Sequence, residues 1–137
     1  MPLMPRPRTS HPTPAELEIL KLLWDRGPLT VREVLDELNV AGPKRAYTSV
    51  MSLLNVMADK GLLDREPEGR AFRYRPRVAQ RNTLGSLVGD IWQRAFEGSA
   101  TTLVAHLLEQ AQPTPDELKA IRETLRQYEQ REGERQP

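Results

Sequence analysis

Residues 45–75 read RAYTSVMSLLNVMADKGLLDREPEGRAFRYR, and the fold is decided there. Val50, Leu53, Leu54 and Met57 recur with the 3.6-residue helical period, which predicts a helix over Arg45–Lys60 with one stripe to bury. Its other side holds Tyr47, Thr48, Ser49, Met51, Ser52 and Asn55. A solvent-facing helix ordinarily carries Glu and Lys there, not small uncharged hydrogen-bonding groups. Gly61 ends the helix. Leu62–Arg65 and Ala71–Arg75 then read as two strands joined by Glu66-Pro67-Glu68-Gly69-Arg70. In the second strand Phe72 and Tyr74 alternate with Ala71, Arg73 and Arg75. One face is therefore aromatic and suited to packing on helices, and the other carries arginine outward.

Upstream, Thr13-Pro14-Ala15-Glu16 is a capping box with Pro at the first helical position, and Leu17, Leu20 and Trp24, widened by Ile19 and Leu23, mark the apolar face. Gly27-Pro28 stops that helix. Thr30-Val31-Arg32-Glu33 opens a second helix to about Asn39, with Val31, Val34, Leu35 and Leu38 inward. Downstream, a helix is expected over Arg81–Phe96 and another from Ser99 or Thr101. A third opens at Thr114-Pro115-Asp116-Glu117, and the chain frays from Glu129. Three short helices followed by a hairpin is the order of a winged helix-turn-helix. The expected architecture is mainly α. A disordered arm (1–12) precedes a winged helix with a two- or three-stranded wing (13–78), a helical dimerisation region (79–130) and a polar tail (131–137).

The 137 residues contain no cysteine and only two histidines, His11 and His106. That removes disulfides, thiol nucleophiles and cysteine metal sites, and no cofactor or metal is expected. Carboxylates such as Glu16, Glu18, Glu33, Asp36 and Glu37 stand at helix starts and solvent faces, so no catalytic role is assigned. The N-terminus has no apolar core for a secretory signal, and no stretch approaches bilayer length, so a cytoplasmic location is expected. Thirteen basic and ten acidic residues lie in 1–80, against seven and nine in 81–137. Arg70, Arg73, Arg75, Arg77 and Arg81 follow one another without an intervening acid, a local field suited to a polyanion, although solvated strands also carry such arginines.

Taken together, the small polar helix face suits base edges in a major groove, and Arg70, Arg73 and Arg75 suit phosphates. Lys44 and Arg45 stand before the helix N-terminus, where phosphate is also favoured. Met51 either meets a thymine methyl or fills space, and Tyr47 either reaches DNA or caps the core. Asp59, Asp64, Glu66 and Glu68 are expected to point away or to pair with arginines. Leu84, Leu87, Val88, Ile91, Trp92, Leu103, Leu107, Leu118, Ile121 and Leu125 are many apolar groups for helices with no strands to close a core, which points to a self-complementary dimer interface ahead of the alternative that the helices fold back onto the winged helix. A protein-interaction module without sequence-specific DNA contact would use the same core, and a regulator with a small-molecule pocket is a third reading.

Leu29-Thr30-Val31-Arg32-Glu33-Val34, Ala46–Leu54, Lys60-Gly61-Leu62-Leu63 and Gly69-Arg70-Ala71-Phe72-Arg73-Tyr74 resemble, in order, the second helix, third helix, helix end and wing of the BlaI/MecI penicillinase-repressor family. The likeness extends more loosely through Phe96-Glu97-Gly98-Ser99 and Leu103–Glu109, covering about Thr13 to Leu125. The resemblance implies a bacterial homodimeric repressor of palindromic double-stranded operator DNA, dimerised through its C-terminal helices, and favours DNA contact for Tyr47. It also implies release by proteolysis in the C-terminal region, through a membrane-linked protease answering an antibiotic or cell-wall signal. The family's cut bond, Asn-Phe, would fall at His106–Leu107, where both residues differ. The cysteine pair of copper-responsive relatives is absent.

Overall fold

The computed structural model describes residues 11–135, so the arm expected over 1–12 lies outside it except for His11 and Pro12. The elements run α1 (Pro14–Arg26), β1 (Leu29–Thr30), α2 (Val31–Ala41), α3 (Tyr47–Asp59), β2 (Leu63–Glu68), β3 (Ala71–Pro76), α4 (Gln80–Arg94), α5 (Ala100–Ala111) and α6 (Pro115–Arg135). The chain forms two compact units that divide within α4, between Gly89 and Asp90. The first is a winged helix-turn-helix.

Both expected capping boxes form. Thr13 accepts from the Glu16 amide while Glu16 takes the Thr13 amide, and Thr30 and Glu33 do the same for α2. Each box satisfies two of the amides that a helix start leaves without partners. Glu16 is 2% exposed, and its carboxylate also accepts from Lys60 Nζ at 2.8 and 2.9 Å. That contact ties the start of α1 to the end of α3. A buried carboxylate is tolerable only with such partners.

Ile19, Leu20 and Leu23 of α1 meet Val31, Val34, Leu35 and Leu38 of α2 and Val50, Leu54 and Met57 of α3. Leu63 of β2 and Tyr74 of β3 close this core. Burial of such side chains contributes roughly 1.5–3 kcal/mol each. The buried face of α1 is centred on Ile19, Leu20 and Leu23, and Leu17 and Trp24 lie at its margins. Trp24 is half-buried because its indole Nε1 donates to the Val78 carbonyl at 3.0 Å, which fixes the chain after β3.

The sheet order is β1-β3-β2, all antiparallel. Leu29 pairs with Tyr74 and Thr30 with Arg73, so the wing is three-stranded. β2 and β3 are longer than expected, reaching Glu68 and Pro76, and turn through Gly69 at φ +63°. A positive φ of this size favours glycine. The expected aromatic face is corrected at one end. Tyr74 is buried, but Phe72 is 43% exposed, because its register opposite Pro67 carries it toward the hairpin tip and beyond the core.

α3 starts at Tyr47, two residues later than expected, with Ala46 extended at the N-cap and no side-chain cap. Asn39 shapes the preceding loop by accepting from the Arg45 amide at 2.8 Å. α4 spans Gln80–Arg94, ending before Phe96.

In the second unit Ser99 caps α5 by accepting from the Thr102 amide, and Gln112 ends it in the left-handed region. α6 runs to Arg135, so the expected fraying from Glu129 is corrected within the described residues. Its last turns are held by local side-chain pairs such as Arg126 with Glu123 and Arg135 with Glu132. No described residue of α5 or α6 is buried. Ile91, Leu107, Ile121 and Leu125 are exposed, as are Leu84 and Val88 in the part of α4 belonging to the first unit. Leu87, Trp92, Leu103 and Leu118 are half-buried.

Candidate nucleic-acid interface

The period that buries Val50, Leu54 and Met57 turns the rest of α3 away from the core. Thr48, Ser49 and Ser52 are exposed, Tyr47 and Met51 are 40% and 37% exposed, and Asn55 is half-buried. Thr48 and Ser52 stand open, while Asn55 is partly covered by Arg65 and Tyr74 of the wing and Tyr47 by Arg32. Lys44 is exposed just before α3, while Arg45 is partly spent on Glu18, 2.9 Å away.

Between this face, the start of α2 and the wing lies a concavity of about 500 Å³. Arg32, Arg65 and Arg70 line it together with Tyr47, Met51 and Phe72, and no carboxylate does. Two of these cations sit on rings. Arg32 lies 5.1 Å from the Tyr47 centroid and Arg65 lies 5.5 Å from that of Phe72. Stacking holds a guanidinium in place without neutralising it, and Arg65 in addition reaches Asp59 at 4.0 Å. Arg32 and Arg65 were not anticipated from the sequence. The available signal for Arg65 was strand parity, since it faces the same way as Phe72 and Tyr74.

On the opposite face of the hairpin the arginines are paired. Register sets Asp64, Glu66 and Glu68 across from Arg75, Arg73 and Ala71. The ion pairs are diagonal, with Arg77 on Asp64 at 3.5 Å, Arg75 on Glu66 at 2.9 Å and Arg73 on Glu68 at 2.7 Å. Arg73 also reaches Glu33 at 3.2 Å and the Pro28 carbonyl at 2.9 Å. Its hydrogen bonds hold the Glu68 carboxyl below the usual carboxylate range and raise its own basicity. Arg70, at the turn, is exposed and makes no ion pair among the described residues. The site therefore combines an open hydroxyl-bearing helix, an acid-free arginine concavity, one uncommitted arginine at the tip, and three arginines held by acids.

In the second unit His106 is exposed, with Nδ1 3.0 Å from the Thr102 carbonyl and its ring edge-on to Phe96 at 5.1 Å. The His106–Leu107 bond lies inside α5. Among the described residues no cluster of His, Asp or Glu could hold a metal ion, and no helix is long and apolar enough to cross a membrane.

The chain is similar to known proteins over most of its length. The chain is 35% identical over 125 residues to the transcriptional regulator BlaI of Mycobacterium tuberculosis, covering 89% of this chain and 88% of that protein. It is 27% identical over 123 residues to the penicillinase repressor of Bacillus licheniformis, covering 88% and 93%. A solution structure of the B. licheniformis BlaI monomeric form in complex with the blaP half-operator is similar over 53% of this chain and 88% of that one, at 27% identity and a TM-score of 0.46. The model of the penicillinase repressors matches residues 12–127, which takes in the winged helix and nearly all of the helices after it. With that match spanning most of its length, the chain belongs to the penicillinase repressor family.

Proposed function

We propose that this protein is a homodimeric transcriptional repressor that reads a palindromic operator with α3 and holds its phosphates with the wing. The observation that carries the reading is the open α3 face beside a concavity lined by Arg32, Arg65 and Arg70 and by no acid. Hydroxyls and an amide there can meet base edges, and the guanidinium groups supply sequence-independent attraction. The relatives in B. licheniformis and M. tuberculosis, a penicillinase repressor and a transcriptional regulator, point the same way.

Thr48, Ser49, Met51, Ser52 and Asn55 face the bases in this account. Tyr47, Lys44, Arg45 and the wing arginines face the backbone. Arg70 is ready for a phosphate, whereas Arg73 and Arg75 must exchange Glu68 and Glu66 for one. Exposed apolar groups in α4 to α6, among them Val88, Ile91, Leu107 and Leu125, support a twofold interface, which would give two recognition helices for two half-sites. Release by a membrane-linked protease belongs to the same proposal. Cleavage at His106–Leu107 would require α5 to open locally, because the bond lies within its hydrogen-bonded turns.

The test is fluorescence anisotropy with genomic promoter fragments at several salt concentrations. Tight binding to particular fragments with a steep salt slope is expected. Weak binding to all fragments with a flat slope would overturn the reading in favour of a protein-interaction module.

A further inference from the structure

Asn55 faces the concavity between α3 and the wing with its side-chain amide held in one orientation. Its Oδ1 accepts from Arg65 Nη1 at 2.7 Å and from the Tyr74 hydroxyl at 2.8 Å. A guanidinium can only donate, so the amide atom facing Arg65 must be the oxygen. The usual ambiguity between the two ends of an asparagine amide does not arise here. Two donors occupy both lone pairs of that oxygen.

Both donors are themselves held. Tyr74 is 1% exposed and pairs with Leu29 of β1 and Arg65 of β2. The Arg65 guanidinium rests on Phe72 and reaches Asp59 at 4.0 Å. The hydrogens on Asn55 Nδ2 meet no protein acceptor among the described residues. Asn55 also lies on the same side of α3 as Thr48 and Ser52, seven and three residues earlier.

We infer that Asn55 reads DNA as a donor only. This rests on the proposal that α3 meets the major groove. A free asparagine pairs with adenine by donating to N7 and accepting from the N6 amine. Asn55 cannot accept, because its oxygen is already committed to Arg65 and Tyr74. It presents N–H groups, which match guanine O6 and thymine O4, whereas adenine places an amine donor at the corresponding position. At the base it meets in each half-site, Asn55 rejects cytosine, which offers no acceptor, and favours guanine or thymine over adenine, where only N7 can accept and the N6 amine finds no partner. Arg65 and Tyr74 act as positioning residues that set the polarity of the contact from the wing side.

The experiment is selection from a randomised double-stranded DNA library by the full chain, its Asn55→Asp variant and its Arg65→Met variant. Aspartate keeps an oxygen toward both donors and turns the outward atom into an acceptor. The expected result is that one symmetric pair of positions changes from guanine or thymine to cytosine or adenine, with discrimination of about 5- to 150-fold and the rest of the site unchanged. Arg65→Met leaves only a hydroxyl, which can donate or accept, so the amide can turn and the bidentate contact raises the share of adenine at the same positions. Identical selected sequences for parent and Asn55→Asp would overturn the inference, as would an equal loss of affinity for every sequence. If the parent itself enriches no sequence, the operator-reading proposal fails and this inference falls with it. Enrichment by the parent alone thus separates the two failures.

Discussion

Replacing Arg70 by Ala is expected to flatten the salt dependence of DNA binding without disturbing the fold. Arg70 stands at the hairpin turn beside Gly69, exposed and without an ion pair among the described residues. Arg73, Arg75 and Arg77 each sit on an acid of β2. Each phosphate neutralised contributes about 0.9 to the slope of log affinity against log salt on duplex DNA. The proposed dimer would place two copies of Arg70 on phosphates, so the variant's slope is expected to be shallower by about 1.8. Over a fourfold rise in salt the parent then loses about 12-fold more affinity than the variant. Arg73→Ala acts differently, because it removes a cation already balanced by Glu68 and Glu33 and leaves both carboxylates unpaired. It lowers affinity through repulsion with a smaller change of slope. The assay is anisotropy of a labelled promoter fragment titrated at several salt concentrations, with thermal melting to verify folding. An unchanged slope for Arg70→Ala, or a larger slope change for Arg73→Ala, would refute the reasoning.

Three further outcomes are expected. Tyr74→Ala removes a fully buried ring shared by the wing and the three-helix core, and should lower the stability of the first unit by about 3–5 kcal/mol in denaturant melts. Glu68 has its folded pKa depressed by Arg73, so the pair's stabilisation is present above the unfolded carboxylate value and is lost as pH falls through the folded value. The protection of β2 and β3 amides, corrected for the pH dependence of intrinsic exchange, should accordingly fall as pH drops below the ordinary carboxylate range and stay constant near neutrality. Leu125→Glu places a charge among the exposed apolar groups of the C-terminal helices, and sedimentation velocity should show monomers while the first unit melts unchanged.

Much of the first unit was legible because its signals are local. Thr13 with Glu16 and Thr30 with Glu33 each announce a helix within four residues, and the α3 stripe follows from a single period. β1 was not legible. Leu29 and Thr30 form a strand only because Tyr74 and Arg73, more than forty residues away, offer them an edge. The arginines of the wing are legible in the sequence, and Asp64, Glu66 and Glu68 pair with arginines as their alternation with them suggests. Which arginine pairs with which acid depends on register and strand twist, and neither is written in composition. The same holds for Asn55, whose place on the polar face was legible but whose committed oxygen depends on donors from β2 and β3. The length of α6 was missed for a different reason. Beyond Tyr128 it has no apolar face, so periodicity gives no signal, and the Arg135–Glu132 ion pair and the Arg131 guanidinium over the Tyr128 ring hold it.

The central claim is that the outward face of α3 enters a major groove. Dimethyl sulfate protection of a library-selected duplex tests it most directly, because the reagent methylates guanine N7 on the major-groove edge. The account predicts protected guanines in two clusters centred about one helical turn apart, lost when Ser52 is replaced by Glu. Binding that leaves every guanine N7 accessible would contradict it.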